Sequence, residues 1–174
     1  MKLLLHACCA PCSIQCVESL AAEGIRPDLY WYNPNIYPKT EYSSRRDSLK
    51  LFAGEKNLSL IIEDEETPCS SVVENRCEFC YRLRLEKAAR VAAEKSFDAF
   101  STTLLISPYQ NHELIKQIGE ELAVGFGVEF LYRDFRPLFR KGQNEARLEG
   151  YYMQKYCGCA SSSEERRLAK GSKK

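Results

Sequence analysis

Short apolar runs alternate with longer segments of helical periodicity along this chain, and that alternation restricts the fold more than any other feature. Residues 2–6 read as a first strand. Pro11 suits a first helical turn, where its missing N–H is not needed, and residues 13–23 continue as a helix stopped by Gly24. Residues 27–32 form a second strand, closed by the turn Asn33-Pro34-Asn35. A charged helix over 41–57 precedes a third strand at 59–63. Residues 78–95 are the most periodic helix, with Leu83, Leu85, Ala88, Ala89, Val91 and Ala92 at apolar positions. A fourth strand at 98–104, a helix at 112–124 and a fifth strand at 128–132 follow, and the chain is helical again around 144–156.

Strands and helices in this order imply a single-domain α/β fold. Its core is a mostly parallel, five-stranded, doubly wound sheet of Rossmann-like or HUP-like type, with right-handed crossovers and a helical C-terminal segment. The 174 residues suit one domain. It spans residues 1–163, and 164–174 read as a polar, basic, mobile tail. No apolar run approaches the roughly 20 residues that span a bilayer. The opening apolar stretch covers only residues 3–5 before a histidine and cysteines, so a targeting segment is not expected and the cytoplasm is.

In such sheets ligands sit beyond the carboxyl ends of the strands, and the unusual residues follow those ends. Strand one leads to Cys8-Cys9-Ala10-Pro11-Cys12 and strand two to Asn33-Pro34-Asn35. Strand three leads to the region of Cys69, Cys77 and Cys80, strand four to Ser107-Pro108-Tyr109-Gln110, and strand five to Asp134-Phe135-Arg136-Pro137. The chemistry falls on one rim.

Nine cysteines are too many for chance, and an odd, clustered set in a chain with no export signal favours a metal or redox site over disulfide staples. Cys77-x-x-Cys80 and the Cys8-Cys9-x-x-Cys12 group supply soft thiolates in two close sets, which suit zinc or an iron–sulfur cluster. Cys9-x-x-Cys12 between a strand and a helix also resembles a thiol–disulfide exchange pair, whose reactive thiol the helix amino terminus would activate. Cys157-Gly158-Cys159 differs in kind. A disulfide between positions i and i+2 closes a strained, easily reduced ring, so this pair reads as a redox-active dithiol, with two further metal ligands as the alternative. Cys16 reads as a core residue and Cys69 as a loop thiol. His6 reads as a hydrogen-bonded histidine near the core.

The formal net charge of +1 announces no nucleic-acid partner, although Arg133, Arg136, Arg140 and Lys141 crowd one segment. No phosphate-binding glycine loop, dinucleotide fingerprint or Ser-His-Asp set is present. From the residues alone, three classes stay open: an iron–sulfur reductase, a thiol–disulfide oxidoreductase using Cys9 and Cys12, and a zinc-binding interaction module.

Ordered blocks along nearly the whole chain carry a resemblance. They are Leu-Leu-His-Ala-Cys-Cys-Ala-Pro-Cys-Ser at 4–13, Tyr-Asn-Pro-Asn-Ile-Tyr-Pro at 32–38, Glu-Tyr-x-x-Arg at 41–45 and Arg-Cys-x-x-Cys-Tyr-x-x-Arg-Leu at 76–85. Thr-Thr-Leu-Leu-Ile-Ser-Pro-Tyr-Gln at 102–110, Tyr-Arg-Asp-Phe-Arg at 132–136, Phe-Arg-x-Gly at 139–142 and Tyr-Cys-Gly-Cys at 156–159 complete them. In these blocks the chain resembles the QueH-type epoxyqueuosine reductases. The resemblance implies cobalamin-independent reduction of the wobble-position epoxyqueuosine of tRNA to queuosine, the last step of queuosine biosynthesis. It implies a [4Fe–4S] cluster on Cys8, Cys9, Cys77 and Cys80, an adjacent mononuclear iron involving Cys12, and Cys157 with Cys159 as the redox-active pair. It also implies tRNA and a separate electron donor as partners, with no membrane. Arg82, Arg84, Arg136 and Arg140 are the residues expected to hold anticodon-loop phosphates.

Overall fold

The computed structural model describes residues 1–64 and 75–171, so Cys69 lies outside the described residues. Five strands form one sheet: β1 (Leu3–His6), β2 (Asp28–Trp31), β3 (Leu60–Ile62), β4 (Ala99–Thr102) and β5 (Glu129–Phe130). Their order is β3-β2-β1-β4-β5 and every neighbouring pair is parallel. The helices are α1 (Ala10–Ala22), α2 (Lys39–Glu55), α3 (Arg76–Glu94), α4 (His112–Phe126), α5 (Phe139–Leu148) and α6 (Ala160–Gly171).

β1 holds the centre because Leu3, Leu4 and Leu5 are apolar on both faces, as a strand covered by helices on both sides requires, and all three are fully buried. The chain steps from β1 outward through β2 to β3, then returns across the sheet to β4 and β5. With right-handed crossovers, the reversal sets α1 and α2 on one face and α3 and α4 on the other. Accordingly α1 packs against α2 and α5, and α3 packs against α4. The reversal also creates a switch point between β1 and β4, where the connections leave in opposite directions and a crevice opens at the strand ends.

The expected doubly wound sheet is therefore present, with differences at element ends. The fourth strand stops at Thr102 because its hydroxyl accepts the Leu104 N–H at 3.2 Å and turns the chain into a 3₁₀ turn over Thr103–Ile106. The helix expected around 144–156 ends at Leu148. There Gly150 takes φ +76°, and Tyr151 N–H reaches back to Ala146 O at 2.9 Å, a left-handed stop that glycine accepts readily. Residues 149–159 then run without regular structure across the strand ends.

Where a polar tail was expected from residue 164, the chain continues as α6. The helix opens with Ser163 N–H donating to Cys159 O at 3.1 Å, and Arg76 of α3 pairs with Glu165 at 2.6 Å. Polarity alone hid this helix, since it has no apolar face for a sequence pattern to detect.

Candidate active site

The switch point is where β1 delivers its cysteines. Cys9 is the N-cap of α1, with extended backbone, and Cys12 lies one turn into the helix beyond Pro11. The Sγ atoms of Cys8, Cys9 and Cys12 all lie within 4.8 Å of one another, and all three residues are buried. Cys8 and Cys9 sulfurs are 3.7 Å apart. Thr103, just past β4, accepts the Cys8 N–H at 3.2 Å and turns its hydroxyl toward Cys8 Sγ at 3.5 Å. The two central strand ends are thereby tied at the thiols.

His6 braces the same place from inside the sheet. Its ring contacts Thr102 Oγ1 at 2.9 Å and Tyr32 O at 3.1 Å, so one imidazole joins the ends of β1, β4 and β2. Burial, reinforced by the charge of Arg84, lowers its pKa to about 4 and keeps it neutral. The sequence reading of a hydrogen-bonded histidine near the core matches this placement.

The three thiols differ. Hydrogen bonds from Cys12, then Cys9, pull Cys8 well below the usual thiol range. Burial pushes Cys9 well above it, and hydrogen bonding to Cys8 does the same for Cys12. Gln154, in the irregular C-terminal segment, covers the group, its Nε2 lying 2.8 Å from Cys9 Sγ and 3.4 Å from Cys12 Sγ. Three convergent thiols with one favoured as thiolate are a soft donor set that can hold a metal.

A crevice of about 310 Å³ opens over this set, and Cys8, Cys12, Cys157, Gln110, Tyr109 and Phe139 are among its lining residues. Cys157 is exposed and Cys159 is buried. Cys159 immediately precedes α6, and its sulfur accepts from Ser162 N–H at 3.4 Å and lies 3.3 Å from the Ser162 hydroxyl. A hydrogen bond from Cys157, then those of Ser162, bring the Cys159 pKa down to about 5, while Cys157 is pushed up as the donor.

The segment carrying these thiols is held from α2. Arg45 is 1% exposed; Nη2 and Nη1 donate to the carbonyls of Tyr156 and Cys157 at 2.8 and 3.0 Å, and Nε pairs with Glu41 at 2.7 Å. Tyr152 donates its hydroxyl to the same glutamate, and Tyr37 N–H donates to Gly158 O at 2.7 Å.

Cys77 and Cys80 stand on the first two turns of α3, the former exposed and the latter buried. They are not members of the three-thiol group. Ligands of a multinuclear cluster bind separate metal atoms and need not converge as tightly as ligands of one ion. The charges of Cys77 and Cys157 both act on Tyr81, whose hydroxyl donates to Gln110 Oε1 at 2.6 Å beside the crevice. Cys16 is fully buried in α1, as its reading as a core residue requires.

The four arginines divide. Arg82 is partly exposed and pairs with Glu121 at 2.9 Å; Arg136 is held by Asp134 at 2.6 Å; Arg140 is exposed on α5. Arg84 is 2% exposed, which removes it from any phosphate contact on the outer surface. It follows Cys80 by four residues, so it faces inward with that cysteine rather than outward. Arg45, Gln154 and Thr103 complete the site and were not anticipated as functional residues. The i, i+4 spacing of Glu41 and Arg45 was a readable signal; nothing in the local pattern marked Gln154.

Enclosed polar atoms bear on whether the rim suits a metal centre. Asn33 Oδ1, both amide atoms of Asn35, Arg84 Nη2 and Gln154 Oε1 are enclosed without a hydrogen-bond partner. Buried polar atoms are ordinarily satisfied; of these, Arg84 Nη2 and Asn35 Nδ2 are donors and suit an anionic, sulfur-rich group, whereas the amide oxygens accept and do not.

Among the described residues no helix is long and apolar enough to cross a membrane. The family model described as "Epoxyqueuosine reductase QueH" matches residues 3–165. A curated relative of that name from Dehalococcoides mccartyi is 36% identical over 171 residues, covering 95% of this chain and 94% of its own. The relative from Acinetobacter baylyi is 37% identical over 177 residues, covering 92% and 80%. That from Thermotoga maritima is 32% identical over 180 residues, covering 95% and 92%. With agreement this complete, and with the cysteine rim the sequence blocks implied, the chain belongs to the QueH family of epoxyqueuosine reductases.

Proposed function

We propose that this protein reduces the epoxide of epoxyqueuosine in the anticodon loop of tRNA to queuosine, without cobalamin, as a cytoplasmic iron–sulfur enzyme. The observation that carries the reading is the meeting of Cys8 and Cys12, two of the three clustered thiols, with the exposed Cys157 at one crevice over the sheet's switch point. Family membership supplies the reaction.

Cys8, Cys9, Cys77 and Cys80 are the residues that would hold a [4Fe–4S] cluster, with Cys12 offering a thiolate to an adjacent iron. Bound there, the group supplies a Lewis acid for the epoxide oxygen and a relay for single electrons. The chain's own part is positioning and proton supply. Cys157 and Cys159 together release two electrons and two protons as they close a disulfide. The epoxide accepts both, its two carbon–oxygen bonds break, a carbon–carbon double bond forms and the oxygen leaves as water. A separate electron donor then reduces the disulfide. Exposed Tyr109, edge-on to Phe139 with ring centroids 6.0 Å apart, offers a stacking surface for a base of the loop at the crevice mouth. Arg136 and Arg140 are the surface residues assigned to phosphates, with Arg82 beside them in role.

The reading of Cys9 and Cys12 as an exchange pair is less well supported. Both thiols are buried and both are pushed up, whereas exchange needs an accessible thiolate.

The test is made on protein purified without oxygen and reconstituted with iron and sulfide. About four irons and four sulfides per chain, with the broad brown absorption of a cluster, are expected, together with turnover of epoxyqueuosine-containing tRNA. Cys77→Ala should lose cluster and turnover together; Cys159→Ser should keep the cluster and lose turnover with dithiol reductants. A Cys77→Ala protein that is free of cluster yet active would overturn the mechanism.

A further inference from the structure

Arg84 is among the largest fully buried side chains of the protein. A guanidinium does not lose its charge at any ordinary pH, so enclosing one without an anion is strongly unfavourable. Its Nε donates to Cys80 O at 2.9 Å, one turn back along α3, and its Nη2 is enclosed without a hydrogen-bond partner. Among the described residues no carboxylate forms an ion pair with it. A carbonyl dipole is a poor substitute for a counter-ion.

The surroundings offer anions of another kind. Cys77, Cys80 and Arg84 fall at i, i+3 and i+7 of α3, one stripe of the helix, so the guanidinium shares its face with the Cys-x-x-Cys pair. From the other side its charge acts on His6, at the end of the strand that delivers Cys8, and on Cys157 in the crevice. Thiols are the groups near it that a metal would turn anionic.

We infer that Arg84 is the buried counter-charge of the sulfur centre, a positioning residue that neutralises thiolates and the anionic group they hold, and not a tRNA-phosphate contact. This rests on the iron–sulfur reading above. A cation enclosed beside the centre stabilises its more negative, reduced state and so raises the reduction potential. Without the anionic centre, the same cation is a burden on the fold.

The inference therefore predicts effects of opposite sign in the two forms of the protein. Arg84→Met and Arg84→Lys would be compared with the wild type, each metal-free and reconstituted with iron and sulfide. Thermal midpoints, the midpoint potential of the cluster and affinity for tRNA would be measured. Arg84→Met should lower the cluster's potential and the thermal midpoint of the reconstituted protein, while leaving the metal-free protein as stable as wild type or more so. Arg84→Lys should stay near the wild-type potential, and both variants should bind tRNA as wild type does.

Equal destabilisation of the metal-free and reconstituted Arg84→Met proteins, an unfolded metal-free variant, or an unchanged potential would overturn the inference. So would an unchanged potential accompanied by weakened tRNA binding, which would return Arg84 to the phosphate contacts. If the wild type takes up no iron and sulfide, the proposed function fails on its own test. The metal-free comparison still decides whether Arg84 is a charge awaiting an anion.

Discussion

Arg45 and Cys157 lie 112 residues apart in sequence, yet the Arg45 guanidinium donates to the Cys157 carbonyl at 3.0 Å. The second arm of the same fork takes the Tyr156 carbonyl, while Nε is ion-paired to Glu41. One side chain on α2 thus sets where the dithiol segment stands over the crevice. Lysine cannot reproduce this, because it presents a point charge in place of a planar fork. Arg45→Lys is expected to keep iron and sulfide content while turnover falls, by up to about a hundredfold if the thiols shift by about 1 Å. Arg45→Ala leaves Glu41 enclosed without its cation and should lose about 3 kcal/mol in denaturant unfolding.

The lowered pKa of Cys159 gives a pH signature. A thiol with pKa about 5 is a thiolate above that value, so its modification rate should rise through pH 5 and level off, not climb toward pH 9. The measurement is site-resolved alkylation of reduced, metal-free protein by iodoacetamide, read by peptide mass spectrometry. Cys157→Ala should move the inflection upward more than Ser162→Ala does, since the hydrogen bond from Cys157 is the larger cause. Equal inflections for Cys157 and Cys159 would show that the two thiols are not differentiated.

Gly158 separates those thiols at φ +129°, a conformation that side chains rarely adopt. A Cβ there would sit 3.1 Å from Ile36 Cγ1 and 3.3 Å from Arg45 Nη1. The Tyr37 N–H bond to Gly158 O resists any shift of the segment. Gly158→Ala is expected to cost about 1–3 kcal/mol in chemical unfolding and to impair turnover. A fully active variant of wild-type stability would mean that the segment tolerates another path.

His6→Leu tests the brace beneath the thiols. Leucine fills the buried position but removes the imidazole's hydrogen bonds to Tyr32 O and Thr102 Oγ1, at a cost of about 2 kcal/mol. Because the brace joins three strand ends at the thiols, reconstituted cluster content should fall as well, measured as iron per chain.

Much of this architecture was legible in the sequence because its determinants are local. Periodicity located β1 through β4 and α1 through α4 within a few residues, and the strand-end rule then placed the cysteines of β1 at the rim. The Cys157-Gly158-Cys159 unit was visible as a close pair of thiols because it is a property of neighbours in the chain. The path of residues 149–159 was not, because an irregular segment has no period and is shaped by distant partners such as Arg45 and Tyr37. Nor was α6, which lacks the apolar stripe that announces a packed helix.

Arg84 marks the boundary most sharply. Leu83 and Leu85 flank it, and a charge between them reads as solvent-facing or as a phosphate ligand. The sequence by itself determined the alternating α/β order, the switch point and the pairing of thiols along the chain. Only the tertiary structure decided that Arg84 turns inward and that Arg45 reaches across 112 residues to the dithiol. It also brought Cys8, Cys9 and Cys12 within 4.8 Å of one another. The physical reason is that burial of a charge or a thiol depends on what other segments bring to it in space, and no window of sequence contains those segments.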